Sequence, residues 1–310
     1  MTRRISLVAL PCLLLPAALQ ADDFVSFSMD FVEIGDAGNV ADGSGYGAVG
    51  YGYRMGVHEV SRGMINAYNA NSGGPAITLQ DMTSYGWDNG ASRPATGVSW
   101  NEAARFVNWL NTSQGHEVAY NFTTGGGNDP IALWSAGDAG YDPTNPFRST
   151  KAYYFLPSED EWYKAAYYDA SKNGGAGGYW DYATGSDAVP ISVSDGTAAG
   201  TAVYDVQPGP ADITDAGGLS PYGTMAQSGN VWEWGESGWA APNDSGVETR
   251  VLRGGYWLNG STNVGASARY VENPLVGLYS VGFRVASVPE PSVFPLALLA
   301  MLGAVWRRGR

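Results

Sequence analysis

The chain has 310 residues, of which 44 % are hydrophobic, 13 % aromatic and only 15 % charged. With 43 glycines and 11 tryptophans it excludes a coiled coil or long helical bundle, and its ample apolar surface excludes disorder. The formal net charge of −13 excludes a broad basic face for nucleic acid or anionic lipid.

Residues 1–21 have the layout of a secretory signal: Arg3 and Arg4, an apolar run from Leu7 to Leu19, and a small residue, Ala21, after which cleavage is expected. The run is too short to span a bilayer, which takes about 20 apolar residues. Cys12 is the one cysteine of the chain and lies in this removable segment. A lipid-carrying role for it is disfavoured by Pro11. The processed chain would thus have no disulfide, zinc–thiolate site or cysteine nucleophile.

Alternation of Val25, Phe27, Met29 and Phe31 with Ser26, Ser28 and Asp30 predicts a half-buried strand over 25–32. Gly35 to Gly52 reads as a loop. Its Asp36, Asn39 and Asp42 could ligate calcium, but without the rest of an oxygen cage a solvated loop is the simpler expectation. A helix is expected from Ser61, with Met64, Ile65 and Tyr68 inward. Capping boxes at Ser99–Glu102 and Ser158–Glu161 predict two more. The first carries an apolar stripe of Ala103, Phe106, Val107 and Leu110, the second Trp162, Ala165 and Ala166. Residues 115–153 predict strands and long loops, and the chain beyond Tyr168 is Gly-, Asp- and Pro-rich. With no repeat and no linker, one domain is expected over 23–287.

Residues 288–310 mirror the N-terminus. Pro289, Glu290 and Pro291 precede an apolar stretch, Val293 to Trp306, and then Arg307, Arg308 and Arg310. This tail resembles the PEP-CTERM sorting signal of Gram-negative bacteria. The resemblance implies transient inner-membrane anchoring, processing by an exosortase, and delivery to the cell surface or extracellular matrix. A simple C-terminal anchor is the alternative.

Within the body, several segments fall in a known order. They are Met55 to Ser61 (MGVHEVS), Pro94 to Asn111 (PATGVSWNEAARFVNWLN), Phe155 to Ala166 (FLPSEDEWYKAA), Tyr222-Gly223, Gly229 to Trp234 (GNVWEW), Leu252 to Trp257 (LRGGYW) and Val281 to Val285 (VGFRV). Together they resemble the formylglycine-generating enzyme, or sulfatase-modifying factor, family. The resemblance implies an α+β, C-type-lectin-like fold, loop-rich with few helices and short strands. Trp100, Trp109, Trp162, Trp232 and Trp234 then read as core. Gly254 and Gly255 read as close-packing positions, and Arg253, Arg269 and Arg284 as buried ion-pair or carbonyl partners.

The family's enzymes oxidise a substrate cysteine to formylglycine with molecular oxygen, using a copper-holding cysteine pair between the Arg-Gly-Gly and Gly-Phe-Arg strands. Here that segment, Leu258 to Tyr279, has no cysteine, so a soft copper site is not expected. A related branch holds iron with three histidines. This chain has His58 and His116 alone, which leaves only a two-His-one-carboxylate set arithmetically open. The resemblance also implies a structural calcium on the carbonyls of Ser228, Gly229 and Val231 and the Glu233 carboxylate, with Asn230 beside them. The alternative is that Asn230 and Glu233 bond other protein groups. The family's second calcium loop has no match in Ser194 to Asp215.

No phosphate loop, hydrolase elbow or Ser-His-Asp order is present. Trp and Tyr could form a sugar-stacking platform, although the motif tryptophans read as core. Two functions remain open. One is a secreted, non-catalytic binding module for a polysaccharide or a surface protein. The other is a formylglycine-generating oxidoreductase acting on sulfatase cysteines through an unrecognised site. The missing thiols favour the first.

Overall fold

Ser61, Ser99 and Ser158 each accept a hydrogen bond from the backbone N–H three residues on. They thereby start α1 (Arg62–Asn71), α2 (Trp100–Ser113) and α3 (Glu159–Tyr167). Glu102 and Glu161 complete the boxes at α2 and α3 by accepting from the cap N–H at 2.9 and 2.6 Å. The computed structural model describes residues 19–205, 207–240 and 243–289.

The strands are short. The first four are β1 (Gln20–Asp23), β2 (Ser28–Ile34), β3 (Tyr53–Gly56) and β4 (Tyr154–Phe155). Next come β5 (Tyr168–Asp169), β6 (Gly178–Tyr179), β7 (Ile191–Ser192) and β8 (Thr201–Ala202). The last are β9 (Trp232–Gly238), β10 (Arg250–Arg253), β11 (Tyr270–Glu272), β12 (Val281–Gly282) and β13 (Ala286–Ser287). One sheet has the order β1-β2-β3-β13-β4, all antiparallel. A second has the order β11-β10-β9-β12, with β12 parallel to β9. Between them α2 buries its stripe of Ala103, Phe106, Val107 and Leu110 in a core shared with Trp100, Trp234 and Phe283. The buried indoles of Trp100 and Trp234 donate to Gly235 O and Val98 O, each at 3.0 Å, so no polar atom is lost with the ring area. The result is a loop-rich α+β fold.

The structure differs from expectation in three places. Strand β2 starts at Ser28, because Phe24 N–H donates to Phe27 O and closes the turn that leads from β1 into β2; Val25 is left 73 % exposed. Residues 115–153 contain isolated bridges, Glu117 to Ala152 and Asn121 to Ala132, instead of strands. Side-chain amides of α2 take over the partners' role. Asn108 Oδ1 accepts from Ala119 and Tyr120 N–H, and Asn111 Oδ1 from Tyr153 and Tyr154 N–H. Trp109 is only partly buried, since it sits at the edge of the α2 stripe, edge-on to Tyr68.

The expected cleavage point after Ala21 lies inside β1, whose Asp22 pairs with Arg54 at 2.7 Å. Val288 N–H donates to Tyr153 O, and Pro289 is exposed. Glu290, Pro291, the apolar tail, Cys12 and most of the signal segment lie outside the described residues. No helix among the described residues is long and apolar enough to cross a membrane.

Candidate functional site

The turn into β9 brings Ser228, Gly229, Asn230, Val231 and Glu233 together, all buried. Gly229 has φ +128°, and a side chain there would collide with Val203 O. Asn230, also at positive φ, spends its amide locally: Oδ1 accepts from Ala211 N–H at 2.8 Å and Nδ2 donates to Glu59 Oε2 at 2.6 Å. Ser228 Oγ accepts from Ala183 N–H. Glu233 Oε2 accepts from Trp162 Nε1 at 2.7 Å and from Arg284 Nε at 2.6 Å, while Oε1 accepts from Arg284 Nη2 at 2.6 Å. The Glu233 carboxylate therefore does not fit a calcium ligand set, because a buried guanidinium already holds both oxygens. The oxygen left over is Glu59 Oε1, fully buried and without a hydrogen-bond partner among the described residues. Burial, and then the charge of Glu233, push the Glu59 carboxyl well above the usual range.

The other candidate ligands do not converge. Asp36 Oδ2 accepts from the Tyr168 hydroxyl and Asp42 Oδ2 from the Tyr163 hydroxyl at 2.6 Å. Asn39 Nδ2 donates to Gly47 O and the Tyr179 hydroxyl. The loop carboxylates are thus tied to a tyrosine cluster. His58 is held below its ordinary pKa by burial and then by the charge of Arg284. His116 lies flat on Tyr153, ring centroids 4.4 Å apart. No group of three or more His, Cys, Asp or Glu able to hold a metal occurs among the described residues. Arg253 and Arg269 both close on Glu159, at 2.6 and 2.7 Å.

The segment 258–279, where the resemblance would place thiols, is framed by rings. Tyr256 and Trp257 precede it and Tyr279 ends it, and the fold brings them back together, with Trp257 and Tyr279 5.9 Å apart. Tyr85 and Trp87 join from the 3-10 turn Met82–Tyr85, which Asp81 caps and Gly86 ends at φ 84°. Trp87 stands edge-on to the fully buried Trp257 at 4.9 Å. Tyr85 stacks on Trp87 at 5.4 Å and on Tyr279 at 5.0 Å, both within 22° of parallel. Tyr85 tops the cluster and is 48 % exposed. A groove of about 570 Å³ runs past Trp87 and is lined also by Asp88, Arg93, Asp195 and Pro208. Arg93 pairs with Asp88 at 2.7 Å, and that hydrogen bond holds the Asp88 carboxyl down to about 2. A rigid ring stack beside a hydrogen-bonding groove can bind a ligand with a flat apolar face. Sequence reasoning did not single out Tyr85 and Trp87. Their signal is an aromatic pair flanking Gly86 in a loop, without periodicity.

The profile of the sulfatase-modifying factor enzyme 1-like domain matches residues 24–288. No curated protein matches the chain. Among solved structures, Treponema denticola variable protein 1 is similar at a TM-score of 0.59 and 21 % identity, over 87 % of this chain and 99 % of that one. CarF is similar at 0.52 and 23 % identity, over 77 % and 87 %. PvdO from Pseudomonas aeruginosa is similar at 0.54 and 15 % identity, over 88 % and 99 %. At these identities the likenesses show the fold.

Proposed function

The chain belongs to the sulfatase-modifying factor enzyme 1-like domain family, and from that premise we propose that it is a secreted, non-catalytic member that holds a polysaccharide at the cell surface or in the extracellular matrix. The observation that carries this reading is the Tyr85–Trp87–Tyr279 stack at the ends of a segment without cysteine. The C–H face of a sugar ring stacks on an exposed aromatic face, and hydroxyls then reach the polar groups of the groove. Thiolate chemistry has no residue to run on in the body of the chain. The tail's resemblance to a sorting signal supports the destination, with an exosortase as the processing partner. A surface protein is the competing ligand.

Affinity electrophoresis through gels containing extracted exopolysaccharide tests this. The parent protein should be retarded, and Tyr85→Ala should be retarded far less with an unchanged melting temperature. A ring contact worth about 1 kcal/mol corresponds to roughly fivefold in affinity. Equal retardation of both would contradict the platform. Retardation of neither, with capture of a surface protein that Tyr85→Ala abolishes, would replace the polysaccharide with a protein ligand.

A further inference from the structure

A second cavity, of about 430 Å³, opens where residues 142–150 face the end of β9, and it shares no lining residue with the Trp87 groove. Its floor is a buried ionic chain. Arg148 lies over the Phe155 ring, 3.9 Å from its centroid, and reaches Glu161 at 3.1 Å and Glu236 at 3.5 Å. Glu161 also accepts from the Tyr51 hydroxyl at 2.7 Å, and Glu236 accepts from Tyr120 at 2.7 Å and Asn145 at 2.5 Å. Glu161 and Glu236 are essentially inaccessible, so the floor is rigid.

The charges do not balance. Arg148 is the one base lining the cavity, against Asp142, Asp160 and Glu236, and Glu161 stands directly behind it. Asp160 Oδ1 accepts from Gly47 N–H at 2.8 Å, while Oδ2 accepts no hydrogen bond from the described residues. Burial pushes the carboxyls of Asp160 and Glu236 up, and the charge of Glu161 adds to both. An incoming cation would relieve Asp160, whose Oδ2 is open to the cleft. An anionic ligand would meet repulsion from every side but one. The remaining lining suits a polyhydroxylated frame. Tyr51, 49 % exposed, offers a ring at the mouth, and Thr144 and Ser237 offer hydroxyls. The volume suits one or two sugar units.

We infer that this cleft binds an amino sugar, with its ammonium group on Asp160 and its ring against Tyr51. It is a second binding site, and it stands whether or not Tyr85 binds a polysaccharide.

Isothermal titration of the whole protein tests it with three probes: a glucosamine oligosaccharide, its N-acetylated counterpart, and spermidine. The glucosamine oligosaccharide should bind, and the other two should bind at least tenfold more weakly. Asp160→Asn, at a partly exposed position in the first turn of α3, should lose at least tenfold in affinity while melting as the parent does. Tyr51→Ala should also weaken binding, and Tyr85→Ala should leave it unchanged. Equal binding of the acetylated sugar or of spermidine would overturn the inference. So would full affinity in Asp160→Asn, or no binding of the glucosamine oligosaccharide at millimolar concentration.

Discussion

Arg284 and Glu233 meet fork to fork in the interior, with Nε on Oε2 and Nη2 on Oε1, each at 2.6 Å, and both side chains wholly buried. The same guanidinium donates to Gly56 O, Val57 O and Met225 O. One side chain thus ties the end of β3, the turn into β9 and β9 itself to the segment that follows β12. A fold with such short strands has few ladder hydrogen bonds, and buried ion pairs with carbonyl contacts join its pieces instead.

Glu233→Gln should therefore be severe. It leaves the buried Arg284 guanidinium without the carboxylate that holds both Nε and Nη2, a loss of about 3–5 kcal/mol. Set against a total stability of about 5–15 kcal/mol, that removes much of the folding free energy. Urea denaturation should show the midpoint falling with an unchanged slope. A midpoint within error of the parent would mean that Arg284 is satisfied by carbonyls alone.

Glu59 supplies a pH test. Its carboxyl is pushed up in the folded protein, first by burial and then by Glu233. The folded state then holds a proton that the unfolded state releases near the ordinary carboxylate value. Stability from this group is complete below that value and declines as pH rises toward the folded pKa. Glu59→Gln removes the dependence. The stability of the variant relative to the parent should thus improve steadily from pH 4.5 to pH 8 in chemical denaturation. A constant difference across that range would show that Glu59 ionises normally.

Much of the scaffold was legible because its signals are local. Ser99 with Glu102 and Ser158 with Glu161 lie within one helical turn, and each pair caps the helix that the sequence assigns to it. The inward stripe of α2 was readable in the same way, whereas the ion-pair roles of Arg253, Arg269 and Arg284 were expected only through the family resemblance. What stayed hidden depends on distant partners. Glu233 reads as an oxygen donor for a metal until Arg284, 51 positions away, is folded against it. Nothing local marks Asn108 and Asn111 as special, yet their amides organise the stretch over 115–153 expected to hold strands and long loops. Tyr85 and Trp87 carry no periodic signal, and only the fold stacks them against Tyr279. Arg148 gains its meaning from Glu161 and Glu236, which no spacing in the sequence connects.

The chain keeps the family's scaffold, and the central proposal is that it does so without the family's oxidative chemistry. An oxygen electrode tests it most directly, with the protein incubated with copper(I) and a peptide bearing the cysteine of a sulfatase motif. Oxygen uptake should equal that of copper and peptide alone, and the peptide should keep its thiol. Protein- and copper-dependent uptake, with an aldehyde appearing in the peptide, would contradict the account and require a catalytic centre built without cysteine.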